Sequence, residues 1–264
     1  MEQTVINAPC TGADADIILC TALDIGQHLL RNGSEISRVE NTIERICTAL
    51  GAAHVEAFVI PSLIAASVRM NDGSYSEQMR HVKKGISMNL YRIEQLNTIS
   101  RQLCSGAITV TEARQKIESV KRLDPYRPLV SHVGAAIFVA GFTLFFGGTW
   151  LDAFSGGLIA VVISILSGFE APFTKGMMKP FTLSFVAGSL SVILCFLGIG
   201  RDVDAVAIGT IMQVIPGLSF WTGVTDMVNG NLISGALRLL QALLTAVMIA
   251  LGYAMAFLVF GGLM

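Results

Sequence analysis

The residues best suited to handling a small molecule stand together in one uncharged stretch. Residues 205–225 hold no Asp, Glu, Lys or Arg, yet Thr210, Gln213 and Pro216 follow one another at intervals of three, with Gly217 next. Intervals of three place side chains roughly on one face of a helix. Pro216 removes a backbone donor and obstructs a helical bond. Gly217 relaxes the backbone further. A break inside an apolar helix frees carbonyl and amide groups, which protein or a water-lined cavity must then satisfy. The chemistry this predicts is binding rather than bond-making. Backbone dipoles exposed by Pro216 and Gly217, with the Gln213 amide and the Thr210 hydroxyl, can hold a polar solute near a membrane midplane. A simple kink with a local polar patch is the competing reading, because Pro and Gly are common in membrane helices.

A second group is Glu35, Arg38 and Glu40, followed by Thr42 and Arg45. These form the polar flank of a helix and allow three readings. They are a solvated face with a weak Glu35–Arg38 helix pair, an ion-pair network that docks or gates, or an acid and base in Glu35 and Glu40. The last would make the chain a membrane-anchored enzyme. Against it, no GxSxG, Walker loop, GxGxxG or HExxH motif occurs. His28, His54, His81 and His132 are scattered, so no metal site and no cofactor are expected. Cys10, Cys20, Cys47, Cys104 and Cys195 are odd in number and irregular in spacing, which predicts reduced thiols rather than a disulfide framework.

The elements that must position these groups follow from charge. Of 264 residues, 53% are hydrophobic and 14% charged, with net charge −1. Mean hydropathy is +0.64. Residues 1–130 carry 28 charged side chains and residues 131–264 carry 9. The first part is charged like a soluble domain, and the second like bilayer-embedded protein. No basic block exists to neutralise phosphates, so no nucleic-acid partner is expected. Uncharged runs at 129–146, 153–169, 180–200, 205–225 and 239–264 predict about five transmembrane helices. Arg114, Lys116, Lys121, Arg122 and Arg127 precede the first run, Lys175 and Lys179 follow the second, and Arg238 precedes the fifth. The positive-inside rule then puts residues 1–128 in the cytoplasm. Asp152, Glu170, Asp226 and Asn229 fall at the predicted interfaces, where solvation is the expected state. Ser184-x-x-x-Gly188 and Ala205-x-x-x-Gly209 predict close helix packing, within the chain or against a partner.

Residues 1–128 read as a small α/β or α+β domain. Ile18, Ala22, Ile25 and Leu29 share one face of a helix over 16–31, which Asn32-Gly33 ends. Ser34 is the expected cap of the next helix, striped by Ile36, Val39, Ile43, Ile46 and Leu50. A strand over 55–60 and a hairpin around Asn71-Asp72-Gly73-Ser74 come after it. Helices near 87–104 and 110–122 complete the domain, the second opened by a Thr109/Glu112 capping box.

In this order and spacing the chain resembles the threonine/serine exporter family. Leu29-Leu30-Arg31-Asn32-Gly33-Ser34-Glu35-Ile36-Ser37-Arg38-Val39-Glu40 is similar to the family's LL-x-x-G-A-E-x-x-R-V-E element, with Ser34 in place of Ala. Ala57 to Ser62 resembles its strand entering a Pro turn. Ile215-Pro216-Gly217 resembles its membrane IPG element, and Asp226, Gly230 and Ser234-Gly235 resemble the segment after that element. The resemblance spans roughly residues 16–260. Full-length exporters carry a second membrane module, so the chain looks like the split, YjjP-like form. That implies a YjjB-like small membrane subunit as partner in a hetero-oligomer. It also implies export of a succinate-type dicarboxylate or of threonine/serine by secondary transport, across the cell inner membrane. The expected architecture is thus an α-helical integral membrane protein, with a cytoplasmic α/β domain over 1–128 and a transmembrane domain over 129–264. A non-transporting assembly subunit is the remaining alternative.

Overall fold

The computed structural model describes residues 14–82, 88–121, 128–169 and 176–263. Cys10, Arg122, Arg127, Glu170 and Lys175 lie outside the described residues. The elements run α1 (Asp14–Arg31), α2 (Ile36–Ala49), β1 (Ala52–Ile60), β2 (Leu63–Met70), β3 (Tyr75–His81), α3 (Leu90–Cys104) and α4 (Val110–Lys121). They continue as α5 (Pro128–Phe145), α6 (Trp150–Gly168), α7 (Met178–Phe196), α8 (Val203–Val214), α9 (Gly217–Val228) and α10 (Leu232–Phe260). The chain gathers into two compact units. One joins Met1–Leu123 with Leu218–Leu239, and the other joins Asp124–Gly217 with Leu240–Met264.

In the first unit β1, β2 and β3 form an antiparallel sheet in that order. Its inner face carries Val59, Ile64, Ala66 and Val68, all buried, while Glu56 and Phe58 face out. The β2–β3 turn is held by Ser74, whose N–H donates to the Asp72 carboxylate at 2.9 Å, and Gly73 takes the positive φ of 84°. α1 differs from the amphipathic helix expected from Ile18, Ala22, Ile25 and Leu29. Leu19, Thr21, Leu23 and Leu30 are also fully buried. Contacts to α2, α3, α4, β2 and β3 surround it, so it is the central element of the core. Its C-terminus closes as expected. Gly33 has φ 89°, the Ser34 N–H donates to the Leu29 carbonyl at 3.1 Å, and that of Gly33 to the Leu30 carbonyl at 3.1 Å.

Burial, with the Lys121 and Arg31 cations nearby, holds His28 down at about 4. Burial also pushes the Cys47 thiol up to about 12, leaving it inert. Cys47, Cys104 and Cys195 are free thiols, but Cys20 is disulfide-bonded, which departs from the all-reduced expectation.

In the second unit α6, α7 and α8 pack on one another, with α5 against α6 and α8. The core combines Ile159, Ile163, Leu183, Ala187, Val206, Ala207, Ile249 and Tyr253. Among the described residues four helices are long and apolar enough to cross a membrane: α5, α6, α7 and α10. Counting α8 and α9 as one broken span makes five. Small residues set the helix spacing. A Cβ on Gly188 would meet Ala256 and Tyr253 of α10 at 2.9 Å, and one on Gly252 would meet the Phe181 carbonyl oxygen at 2.5 Å. A Cβ on Gly209 would collide with Thr143 of α5. The Ser184/Gly188 and Ala205/Gly209 patterns therefore serve packing within the chain.

Two outcomes are expected. Gly252→Ala places a methyl group against backbone that cannot yield, an overpacking cost of about 1–3 kcal/mol. Thermal melts in detergent should show a clear loss for Gly252→Ala and none for Gly168→Ala, whose Cβ meets nothing within 4 Å. For His28, the folded pKa lies below the unfolded one, so the unfolded chain binds the extra proton first. Stability should fall as pH drops from about 6.5 towards 4, and denaturant midpoints of His28→Gln should lose that slope.

Candidate functional site

The sequence motifs meet at two places, one in each unit. In the first unit the α9–α10 hairpin grips the α1–α2 turn. α9 ends on Gly230 with φ 89°, and the Asn231 N–H donates to the Asp226 carbonyl at 2.8 Å. This turn sets Asp226 and Arg238 face to face, with the Arg238 Nε 3.2 Å from the Asp226 Oδ2. Asp226 is 0% and Arg238 4% exposed. The pair is close without hydrogen-bond alignment. Each partner spends its directed bonds on the α1–α2 turn instead. The Ile36 N–H donates to Asp226 Oδ1 at 2.9 Å, and Arg238 Nη2 donates to the Ser34 carbonyl at 2.9 Å. Ser234 Oγ donates to the Val59 carbonyl at 3.3 Å.

This corrects two expectations. Ser34 does not cap α2. Glu35 occupies the N-cap position without a side-chain bond, Ser34 Oγ is buried and unpartnered, and Asp226 supplies the carboxylate. A carboxylate suits that place because the first N–H groups of a helix lack internal acceptors. Asp226 is also not a solvated interface residue. The same holds for Asp152, which is 0% exposed. Asp152 closes a capping box with Thr149 and accepts from the Arg201 N–H at 2.5 Å and the Asp202 N–H at 3.0 Å. It thereby ties the α7–α8 turn to the start of α6.

Glu35, Arg38 and Glu40 do not form one network. Glu40 accepts from the Val59 N–H at 3.1 Å, and burial outweighs that bond to raise its carboxyl above the usual range. Glu35 and Arg38 instead line an open groove of about 890 Å³ between α2 and α3. Among the described residues no ion pair joins the three.

In the second unit Thr210 is 1% exposed on α8. Its hydroxyl reaches the carbonyls of Val206 at 3.0 Å and Ala207 at 2.9 Å, and lies 2.8 Å from the Tyr253 hydroxyl of α10. Gln213 donates from Nε2 to the Ala160 carbonyl of α6 at 3.3 Å, while its Oε1 is buried without a partner. α8 stops at Val214 and α9 begins at Gly217, so the helix breaks at Ile215-Pro216. Pro216 has no N–H for the Met212 carbonyl. The Gly217 N–H turns to the Ile215 carbonyl at 2.9 Å instead of that of Gln213. The break thus leaves two carbonyls without their helical donors, next to an unsatisfied amide oxygen. His132 meets Ser164 at 2.8 Å and takes no part. The Tyr253 contribution was missed, although Tyr253 is the only tyrosine after residue 126. The Asp226–Arg238 pair was missed too. Its signal was opposite charges flanking an Asn229-Gly230 helix stop.

The residues that meet here, from Ser34, Ile36 and Val59 to Asp226 and Ser234, belong to motifs far apart in sequence. A family model described as "Putative threonine/serine exporter" (ThrE) matches residues 21–260. The chain belongs to the threonine/serine exporter family. A protein named "Probable threonine/serine exporter" from Mycobacterium tuberculosis is 24% identical over 243 residues, covering 89% of this chain and 45% of that protein. "Pheromone-regulated membrane protein 10" from Pichia sorbitophila is 23% identical over 201 residues, covering 70% of this chain and 19% of the other. Its namesake in Eremothecium gossypii is 24% identical over 200 residues, covering 70% and 26%. The chain spans less than half the length of these curated relatives. No solved structure matches it significantly. Membership in this family and the apolar helices make the chain a multi-pass membrane protein.

Breaking the buried pair from one side strands a charge, which costs about 3–5 kcal/mol. Arg238→Met should therefore destabilise the protein strongly. Adding Asp226→Leu should cost less than the sum of the single changes. A double-mutant cycle on thermal or denaturant unfolding measures that coupling.

Proposed function

We propose that this chain is the pathway subunit of a secondary exporter for a small polar metabolite. The observation that carries the reading is the broken α8–α9 helix. Unclaimed carbonyls at Met212 and Gln213, the free Gln213 Oε1 and the Thr210–Tyr253 hydroxyl pair offer donors and acceptors in an apolar surrounding. Solutes of secondary transporters are held by such interrupted helices. Thr210, Gln213, Pro216 and Gly217 are the substrate-binding residues of this reading. The solute is threonine or serine, the compounds in the name of the Mycobacterium tuberculosis relative, or a succinate-type dicarboxylate.

A YjjB-like membrane subunit completes the pathway. Support comes from the open faces of the outer helices. Within its apolar window α5 is 11% buried and α10 22%, against 44% for α6. The N-terminal domain faces the cytoplasm of a cell with the protein in its inner membrane, on the placement of Lys and Arg. Glu35, Arg38 and Glu40 act from that side on gating. α9 is their connection to the break along the chain, since it runs from Gly217 to the residue that caps α2.

Liposomes holding the chain with its candidate partner should export labelled threonine, serine or succinate, and liposomes with the chain alone should not. Gln213→Ala removes one hydrogen-bonding group, worth about 0.5–1.5 kcal/mol. Flux should drop by several-fold to about tenfold. Unchanged flux in a folded Gln213→Ala complex rejects the site, and no flux of any of the three compounds rejects the substrates.

A further inference from the structure

We infer that the α2–α3 groove is a second, independent ligand site, for a small zwitterion that carries a carboxylate and an ammonium group. The groove holds about 890 Å³, ample for a metabolite of this size, and charged side chains from both α2 and α3 line it. Arg38 and Arg45 stand seven residues apart on α2, two turns along one face, and Arg101 faces them from α3. Glu35 and Glu44 line the same groove, together with the neutral amide of Asn97.

Among the described residues, none of the three guanidinium groups and neither carboxylate has a side-chain hydrogen bond or an ion pair. Other charged groups of this unit do pair: Arg80 with Asp24, and Arg238 with Asp226. Guanidinium groups bind carboxylates in a planar, two-pronged geometry that ammonium groups cannot match. Three of them would suit any small anion. The two glutamates decide between anions, because they repel a dianion and attract an ammonium group. A molecule with one charge of each sign satisfies both sets. The lining therefore favours an α-amino acid over a dicarboxylate or phosphate.

The groove also sits on the element that Asp226 holds. Glu35, on its rim, lies between Ser34 and Ile36, whose backbone groups Arg238 and Asp226 engage. A ligand drawn to Glu35 and Arg38 bears directly on the first turn of α2. The site does not rest on the transport reading, since it is defined by binding alone.

Isothermal titration of the full-length protein in detergent, with L-serine, succinate and inorganic phosphate as probes, tests this. L-Serine should bind saturably and more tightly than succinate or phosphate. Arg45→Gln and Arg101→Gln should each weaken it by about tenfold or more, the loss of one charge-assisted contact. Both residues are exposed, so an unchanged melting temperature verifies the fold of each variant. Glu44→Gln should weaken serine and strengthen succinate, a reversal that loss of folding cannot produce. The part of serine binding that Arg45→Gln removes should survive Gln213→Ala. No saturable binding, a preference for succinate or phosphate, or binding abolished by Gln213→Ala and untouched by Arg45→Gln would each overturn the assignment.

Discussion

A carboxylate removed from water must be met by donors, and in this protein the Asp226 carboxylate is met by the start of another helix. Its Oδ1 takes the Ile36 N–H, and Arg238 stands across from its Oδ2. The arrangement fixes several things together. It caps α2 in place of Ser34, it ties residues 34–36 to the α9–α10 hairpin, and it aligns the hairpin so that Ser234 reaches the Val59 carbonyl. The charged pair is retained although a hydrophobic pair of similar volume would often be as stable. Apolar residues could not supply the two directed bonds to the Ser34 carbonyl and the Ile36 N–H. Positioning, rather than stability, is the contribution of these charges.

The same rule organises the apolar helices of the second unit. Asp152 gathers the N–H groups of Thr149, Arg201 and Asp202 and so closes two turns with one side chain. Ser and Thr hydroxyls return to carbonyls in their own helices, as Ser184 and Ser191 do. Against this background of satisfied groups the region around Pro216 is the exception. Two carbonyls lose their helical donors and the Gln213 Oε1 has no partner. An unsatisfied polar group in such surroundings is costly. Its persistence at the helix break is the observation on which the proposed solute site rests.

Much of the fold was legible because local rules dominate it. The hydropathy runs marked the four long apolar helices and the broken α8–α9 pair, although α10 begins seven residues before its run, and Asn32-Gly33 and Asp72-Gly73 marked turns that need positive φ. The threonine/serine exporter motifs were legible as spacing. The chemistry of those motifs was not. Ser34 has every local qualification for an N-cap, and only a residue 192 positions away displaced it. Asp152 and Asp226 looked solvated because they lie at the ends of apolar runs, where a one-dimensional reading cannot tell an interface from an interior. α1 looked amphipathic because four of its apolar residues share a face, yet packing on five neighbours buries the others too.

By itself the sequence determined which segments are helices and strands, which are apolar enough to cross a membrane, and where the fourth span breaks. Each of these depends on residues within one or two turns of one another, where periodicity, Pro and Gly act through the local backbone. Tertiary structure alone decided which polar groups are satisfied and which are left open. That question turns on partners such as Ile36 for Asp226, Tyr253 for Thr210 and Ala160 for Gln213. Burial makes those partnerships strong, and long-range folding brings them together.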